Sequence, residues 1–250
     1  MSVIQSHKKS SARTAIAIAI AIAAAAAPGC GGEQKPVESP QGGDEPRSDG
    51  PSPGLGVSAE IGAMDEEATQ RTFQKAAPKL SRCFTAGLKR VPYLGGEVRL
   101  ALRVNQDGQA RAAYVKDSTL GDRETEDCML AVVKSATWPK PVGGVEGLAE
   151  NAFTFDPSPD ERAPVDWSAD RIGEALEKAR APLSTCRKEA SAGPLKATLY
   201  VNTDGKAVAV GVSGSDERGE AAAKCVVETL RGITFPSPGS YDAKVSITID

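Results

Sequence analysis

Two stretches of the chain decide the fold: VNQDGQA at residues 104–110 and VNTDGKA at residues 201–207. They lie 97 positions apart, and the same offset aligns residues 104–141 with residues 201–238 without a gap. Twelve of these 38 aligned positions are identical. The chain therefore contains an internal repeat, and each copy is expected to form one small domain.

On either side of these stretches, each copy shows the same order of elements. Apolar residues three or four positions apart predict a helix at 66–89, with Pro78 inside it, and a counterpart around 172–183. Alternating apolar residues then predict a strand, and Asn-x-Asp-Gly predicts a tight hairpin with its glycine in the left-handed conformation. A return strand, a second helix and a final strand complete each copy, at 110–116, 122–136 and 151–155 and at 207–212, 217–231 and 245–249.

This order predicts the α+β class. We expect two tandem small domains, each helix-strand-strand-helix-strand, with two helices packed on a three-stranded sheet. The segment before the first copy is rich in Gly, Pro, Glu and Ser and too poor in apolar residues to fold, which predicts a disordered stalk. The predicted boundaries are a signal peptide at 1–29, a lipid-anchored linker at 30–60, a first repeat at 61–156, a Pro-rich linker at 157–168 and a diverged second repeat at 169–250.

The leader has the features of a secretory signal. Three basic residues precede an apolar run at 14–27, which is too short to span a bilayer. Cys30 follows the small residue Gly29, an arrangement that resembles the lipobox of bacterial lipoproteins, in which the cysteine is lipidated and the chain is cut before it. Gly31 is not the aspartate that retains such proteins at the inner membrane, so we expect an anchor in the outer membrane, facing the periplasm. The alternative is a cut within the alanine run, which would leave Cys30 as a free thiol.

The two copies also resemble a known domain family. The cysteine near the end of the first helix, the Asn-x-Asp-Gly hairpin, Ser118, the cysteine of the second helix and the Pro-x-Pro segment are similar to the AgmX/PglI C-terminal domain. That family belongs to a broad group similar to the TonB and TolA C-terminal domains. The resemblance covers residues 66–156 and 170–250, the first more closely. It implies a role in envelope or gliding-motility assemblies, without catalytic residues, and TonB-like domains are associated with binding an extended peptide at a sheet edge.

An even number of cysteines remains once Cys30 is assigned to lipid, and four cysteines can pair in three ways. One pair within each repeat is favoured, because each small unit must stabilise its own core. A redox-active pair or a metal site are the alternatives, but the sequence has no Cys-x-x-Cys motif and no short ligand spacing. The four residues are Cys83, Cys128, Cys186 and Cys225.

Composition disfavours several classes of function. The only histidine, His7, lies in the leader, so a mature chain would have no Ser-His-Asp or Cys-His catalysis and no imidazole ligand for a metal. The whole chain has a formal net charge of −3, and loss of the leader removes basic residues but no acidic one. A nucleic-acid-binding domain is expected to be basic, so we expect no nucleic-acid partner.

Three further features favour a structural interpretation. An EF-type calcium loop built on Asn-x-Asp-Gly would need acids where Arg103 and Tyr114 stand, so a turn is favoured over a metal site. Trp138 and Phe235 precede the prolines at matching positions and are expected in the core. The acidic residues at the start of the second helix are expected to form a solvated face that suits the helix dipole, and they are Asp122, Glu124, Glu126 and Asp127.

These features predict a non-catalytic envelope lipoprotein whose tandem domains mediate protein–protein interaction. We expect a protein partner in the envelope, bound by strand addition at a sheet edge, a membrane contact through the lipid, and no cofactor or metal. A periplasmic hydrolase or cell-wall-modifying enzyme is the first alternative. An inert structural or display lipoprotein is the second.

Overall fold

A computed structural model describes residues 59–250, and the α+β class is confirmed. The first repeat consists of strand β1 (Ala59–Gly62), helix α1 (Glu66–Leu88), strands β2 (Gly96–Asn105) and β3 (Ala110–Ser118), helix α2 (Arg123–Lys134) and strand β4 (Gly144–Phe155). The second consists of strand β5 (Val165–Trp167), a 3₁₀ turn (Ala169–Ile172), helix α3 (Gly173–Glu189), strands β6 (Leu195–Val201) and β7 (Ala207–Gly214), helix α4 (Glu217–Arg231) and strand β8 (Ala243–Ile249). The predictions for the signal peptide, Cys30 and most of the 30–60 linker lie outside the described residues.

Each sheet has four strands rather than the three that were expected. The strand orders are β1-β4-β2-β3 and β5-β8-β6-β7. The central strands pair antiparallel with their neighbours, whereas β1 and β5 pair parallel to β4 and β8. The additional strands contain four and three residues, too few for an alternating pattern to be recognised. They lie in or next to the segments that were assigned to the two linkers.

The two hairpins adopt the predicted turn. Gly108 and Gly205 have φ values of 79° and 75°, which a side chain would disfavour. A Cβ on Gly108 would also lie 2.4 Å from the Trp138 carbonyl oxygen. The Asn105 side-chain oxygen accepts hydrogen bonds from the backbone N–H groups of Asp107 and Gln109, at 3.0 and 2.9 Å. The asparagine side chain thus holds the turn closed.

Helices α1 and α2 pack on one face of the first sheet, and α3 and α4 cover the second sheet in the same way. Trp138 is 3% exposed, and its Nε1 donates to the Val133 carbonyl at 3.1 Å. Phe73 packs edge-on against Trp138 with 4.6 Å between ring centroids, and Phe235 is buried in the second core. Both aromatic residues before the prolines are therefore core residues, as predicted.

One disulfide joins the two helices within each repeat. Cys83 of α1 is bonded to Cys128 of α2, and Cys186 of α3 is bonded to Cys225 of α4. The paired Cα atoms lie 5.7 and 5.6 Å apart, within the usual range for a disulfide. Of the three possible pairings, the structure contains the one that was favoured.

The two repeats belong to one compact unit. They meet where β3 and α2 of the first repeat face β7 and α4 of the second. Tyr200 and Ala209 of the second repeat are buried in the core cluster of the first. The sequence predicted two modules separated by a spacer, and it did not predict this interface, which joins residues about a hundred positions apart.

Candidate partner-binding edge

A sheet edge can bind a further strand only where its backbone groups are free. The edge strands β3 and β7 face each other across the inter-repeat interface. The Val115 N–H donates to Glu220 Oε2 at 3.5 Å, and the Val212 N–H donates to Glu126 Oε2 at 3.2 Å. One outward N–H of each edge strand is therefore bonded to a glutamate of the other repeat, and the two strands lie against each other, which disfavours both as candidates for strand addition.

The opposite edge of each sheet is only partly covered. β1 pairs with β4 at Gly144, Glu146 and Gly147, and β5 pairs with β8 only at 243–245. Within the part of the chain that the structure describes, no strand pairs with the outer edges of 148–155 and 246–249. The backbone groups on these outer edges can pair with an additional strand.

A groove lies beside the free end of β8. It has a volume of about 270 Å³ and runs between α3 and the end of the strand. Leu176 and Leu183 line it from the helix, and Ile247 and Ile249 line it from the strand. The ion pair between Arg180 and Glu177 lies at the rim of the groove. The other polar residues that line it are Ser184, Thr248 and Asp250. Apolar walls combined with a few polar groups are features that binding pockets share.

The corresponding part of the first repeat is packed with aromatic rings. The ring centroids of Phe73 and Phe153 lie 5.9 Å apart, and Phe84 stacks on Phe155 with 4.9 Å between ring centroids. Aligning Leu80-Ser81-Arg82-Cys83 with Leu183-Ser184-Thr185-Cys186 places Leu176 at the position of Phe73 and Arg187 at that of Phe84. In the second repeat a leucine and an arginine thus replace two of these rings. The space that the rings fill in the first repeat is left open as the groove beside β8.

Two acidic residues of α2 are not on a solvated face, so that prediction was wrong for them. Asp122 is 1% exposed and caps α2 by accepting from the Thr125 N–H at 3.2 Å. Glu126 is 0% exposed and accepts a 2.7 Å hydrogen bond from Ser118 Oγ. Burial raises the pKa of the Glu126 carboxyl to about 7. The remaining two, Glu124 and Asp127, are exposed as predicted.

The position of Glu126 within its helix carried a signal that sequence reasoning missed. It precedes Met129, Leu130 and Val133 by three, four and seven residues, so it belongs to the buried face of α2. Its partner Val212 lies 86 residues away and could not be predicted from the local pattern.

Among residues 59–250, no group of three or more His, Cys, Asp and Glu side chains is arranged to hold a metal ion. A separate search of the same residues finds no helix long and apolar enough to cross a membrane. Comparisons of the chain with protein-family models, with curated proteins and with solved structures found no match.

Proposed function

We propose that this protein is a non-catalytic, lipid-anchored envelope protein whose disulfide-stapled repeats bind a protein partner. An extended segment of the partner adds to the free edge of β8, and its apolar side chains enter the groove between α3 and β8. The observation that carries this proposal is the outer edge at 246–249, with which no strand among residues 59–250 pairs, beside the groove that Leu176 and Ile247 line.

The edge of β8 would supply affinity, and the groove would supply selectivity. Each backbone hydrogen bond to the added strand contributes only about 1 kcal/mol net, whatever the sequence of the partner. Because side chains of a strand alternate between faces, every second partner residue would point toward Leu176 and Ile247. The groove would therefore select apolar residues at alternate positions of the partner.

Cellular location is supported by two independent features. The apolar leader and the cysteine that follows it are typical of a bacterial lipoprotein, which would anchor the chain at the outer membrane. One disulfide in each repeat suits an oxidising compartment such as the periplasm. The resemblance to the AgmX/PglI C-terminal domain supports an envelope or gliding-motility assembly as the setting.

Thr248→Pro tests the use of the β8 edge. The Val165 N–H donates to the Asp242 carbonyl, so by alternation the N–H groups of Ser246 and Thr248 point toward the outer edge. Proline at 248 removes one outward N–H and introduces its ring there, without removing a bond to β6. We expect crosslinked recovery of a partner from native membranes to be lost with Thr248→Pro and retained with Thr248→Ala.

Leu176→Phe tests the groove independently. It introduces the residue that the first repeat has at this position, and the larger ring should fill the space without burying a polar group. We expect partner recovery to fall, whereas Val208→Phe, at an exposed apolar position on β7, should leave it unchanged. Unchanged recovery with both Thr248→Pro and Leu176→Phe would contradict the proposal and favour an inert structural role.

A hydrolase is the alternative from a different class. Among the described residues, a serine hydroxyl bonded to a buried carboxyl group occurs at Ser118 and Glu126, which are 4% and 0% exposed. A substrate could not reach this hydroxyl without separation of the repeats. Turnover of peptidoglycan or simple esters by the purified protein, lost on Ser118→Ala, would contradict the non-catalytic proposal.

A further inference from the structure

The contacts between the repeats occur in reciprocal pairs. Val115 and Val212 are equivalent residues of β3 and β7, 97 positions apart, and each donates its backbone N–H to a glutamate of the other repeat. The acceptors, Glu220 and Glu126, lie on α4 and α2 but are not equivalent residues, because the offset relates Glu220 to Arg123 and Glu126 to Ala223. The two contacts therefore follow an approximate two-fold axis between the repeats.

A second pair of contacts follows the same symmetry. Arg103 of β2 reaches across the interface to Glu217 at the start of α4, with 3.3 Å between Nε and Oε1. Its equivalent in β6 is Tyr200, which packs against Gly121 just before α2, where an added Cβ would lie 3.0 Å from Tyr200 Cε2. Each repeat thus covers the outer face of the other's sheet next to its edge strand.

Arg123 and Glu220 occupy equivalent positions, 97 residues apart, and they contact each other. Only residues beside a two-fold axis meet their own equivalents. The two side chains form an ion pair, with a second contact of 3.3 Å from Arg123 Nη1 to Glu220 Oε2, and they are 12% and 22% exposed. Two first repeats would bring arginine against arginine here, and two second repeats would bring glutamate against glutamate.

A second difference between the repeats concerns shape. The Glu126 carboxyl group and the Gly121 backbone both lie against Gly211 of β7, where an added Cβ would be 2.5 Å from Glu126 Oε1 and 2.8 Å from Gly121 Cα. The first repeat has Tyr114 at the position of Gly211, and the second has Ala223 at the position of Glu126. Pairing two first repeats would therefore place a tyrosine where this carboxylate needs space.

We propose that the β3–α2 surface of the first repeat is a recognition surface for the second repeat, and that it rejects a further copy of the first. The Arg123–Glu220 ion pair and the fit of Glu126 against Gly211 make the pairing selective. The repeats consequently close on each other within one chain, and neither surface is complementary to itself. This proposal does not depend on the function of the β8 edge.

The test uses the full chain with a protease site placed in the 157–164 segment between β4 and β5. After cleavage with the disulfides intact, we expect the two halves to remain bound as a 1:1 pair at micromolar concentration. The cleaved sample should contain no homodimer of the first half beside this pair. Separation of the cleaved halves in native buffer, or equally strong self-association of the first half, would overturn the proposal.

Charge reversal identifies the selective contact. The variants Arg123→Glu, Glu220→Arg and their combination are made on an Asp127→Asn background, because Asp127 lies 2.6 Å from Arg123 and would repel a glutamate there. Each single reversal should weaken association of the cleaved halves at least about tenfold, and the double reversal should restore most of it. Arg71→Glu, at an exposed pair within α1, is the matched control. A double reversal no tighter than either single reversal would refute the charge-based selection.

Gly211→Ala tests the fit of shapes. The added Cβ should weaken the pair of cleaved halves at least about tenfold, because it enters the space of the Glu126 carboxylate. Gly173→Ala is the control, since nothing lies within 4 Å of a Cβ there. Combining Gly211→Ala with Glu126→Ala should cost less than the sum of the two changes, and an additive cost would contradict the fit.

Discussion

Glu126 shows at the scale of a single residue how burial changes the chemistry of a carboxyl group. Ser118 Oγ and the Val212 N–H donate to it, the charge of Arg123 lowers its pKa and the charge of Asp122 raises it. Burial raises its pKa from 4.5 to about 7 in spite of these donors. The folded protein therefore holds a proton on Glu126 under conditions in which the unfolded chain would release it.

We predict a pH dependence of stability that Glu126→Gln removes. Since the pKa is raised on folding, the stabilisation is complete below pH 4.5 and is lost as the pH rises through about 7. This loss amounts to roughly 3 kcal/mol in the free energy of unfolding. Glutamine retains an acceptor for the Val212 N–H but carries no charge. From pH 4.5 to pH 8 the free energy of unfolding of the wild type should therefore fall progressively relative to that of Glu126→Gln.

Urea unfolding at a series of pH values measures this difference. The exposed Glu189→Gln variant is the control and should follow the wild-type curve. A wild-type curve that runs parallel to the Glu126→Gln curve across this range would contradict the assignment.

The hairpin glycine offers a second prediction at the residue scale. Gly108→Ala should destabilise the protein by about 1–2 kcal/mol from its positive φ alone, and by more because the Cβ would meet the Trp138 carbonyl. Gly143 has a similar φ of 78° but nothing within 4 Å of a Cβ, so Gly143→Ala isolates the cost of conformation. Thermal unfolding of both variants should show the larger loss for Gly108→Ala, and equal losses would argue against the close contact.

At the scale of elements, periodic apolar patterns predicted the helices and strands that depend on neighbouring residues in the sequence. The predicted helix bounds at Glu66 and at Glu217–Arg231 agree with the structure, in which Asp65 and Asp216 cap the two helices at these starts. β1 and β5 were missed because each depends on parallel pairing with a strand far away in the sequence. The groove beside β8 could not be predicted either, since it results from which side chains fill the space between α3 and the strand.

The disulfides are expected to supply much of the stability of each repeat. They close loops with sequence separations of 45 and 39 residues, and the chain-entropy model gives about 4 kcal/mol for each. Cys83→Ala/Cys128→Ala and Cys186→Ala/Cys225→Ala should therefore lower the free energy of unfolding by similar amounts. Denaturant unfolding of both double variants checks this, and a loss below about 1 kcal/mol in either would contradict it.

At the scale of the whole molecule, pairing of the repeats decides which edges remain free. β3 and β7 lie against each other, which leaves parts of the outer edges of β4 and β8 without a paired strand among residues 59–250. The sequence predicted an open edge on each repeat but not which edge, because the contacts of Arg123 with Glu220 and of Glu126 with Gly211 join the two halves of the chain. The offset of 97 positions relates Arg123 to Glu220, but it does not indicate that they touch.

The most direct test of partner binding is a photo-crosslinking amino acid placed at Thr248 in the full chain in its native envelope. Lys224, exposed on α4 away from the groove, is the control position. We expect a partner protein to be crosslinked at position 248 but not at position 224. The crosslinked segment of the partner should be extended, with apolar residues at alternate positions. No adduct at 248, or the same adducts at both positions, would contradict binding at the β8 edge.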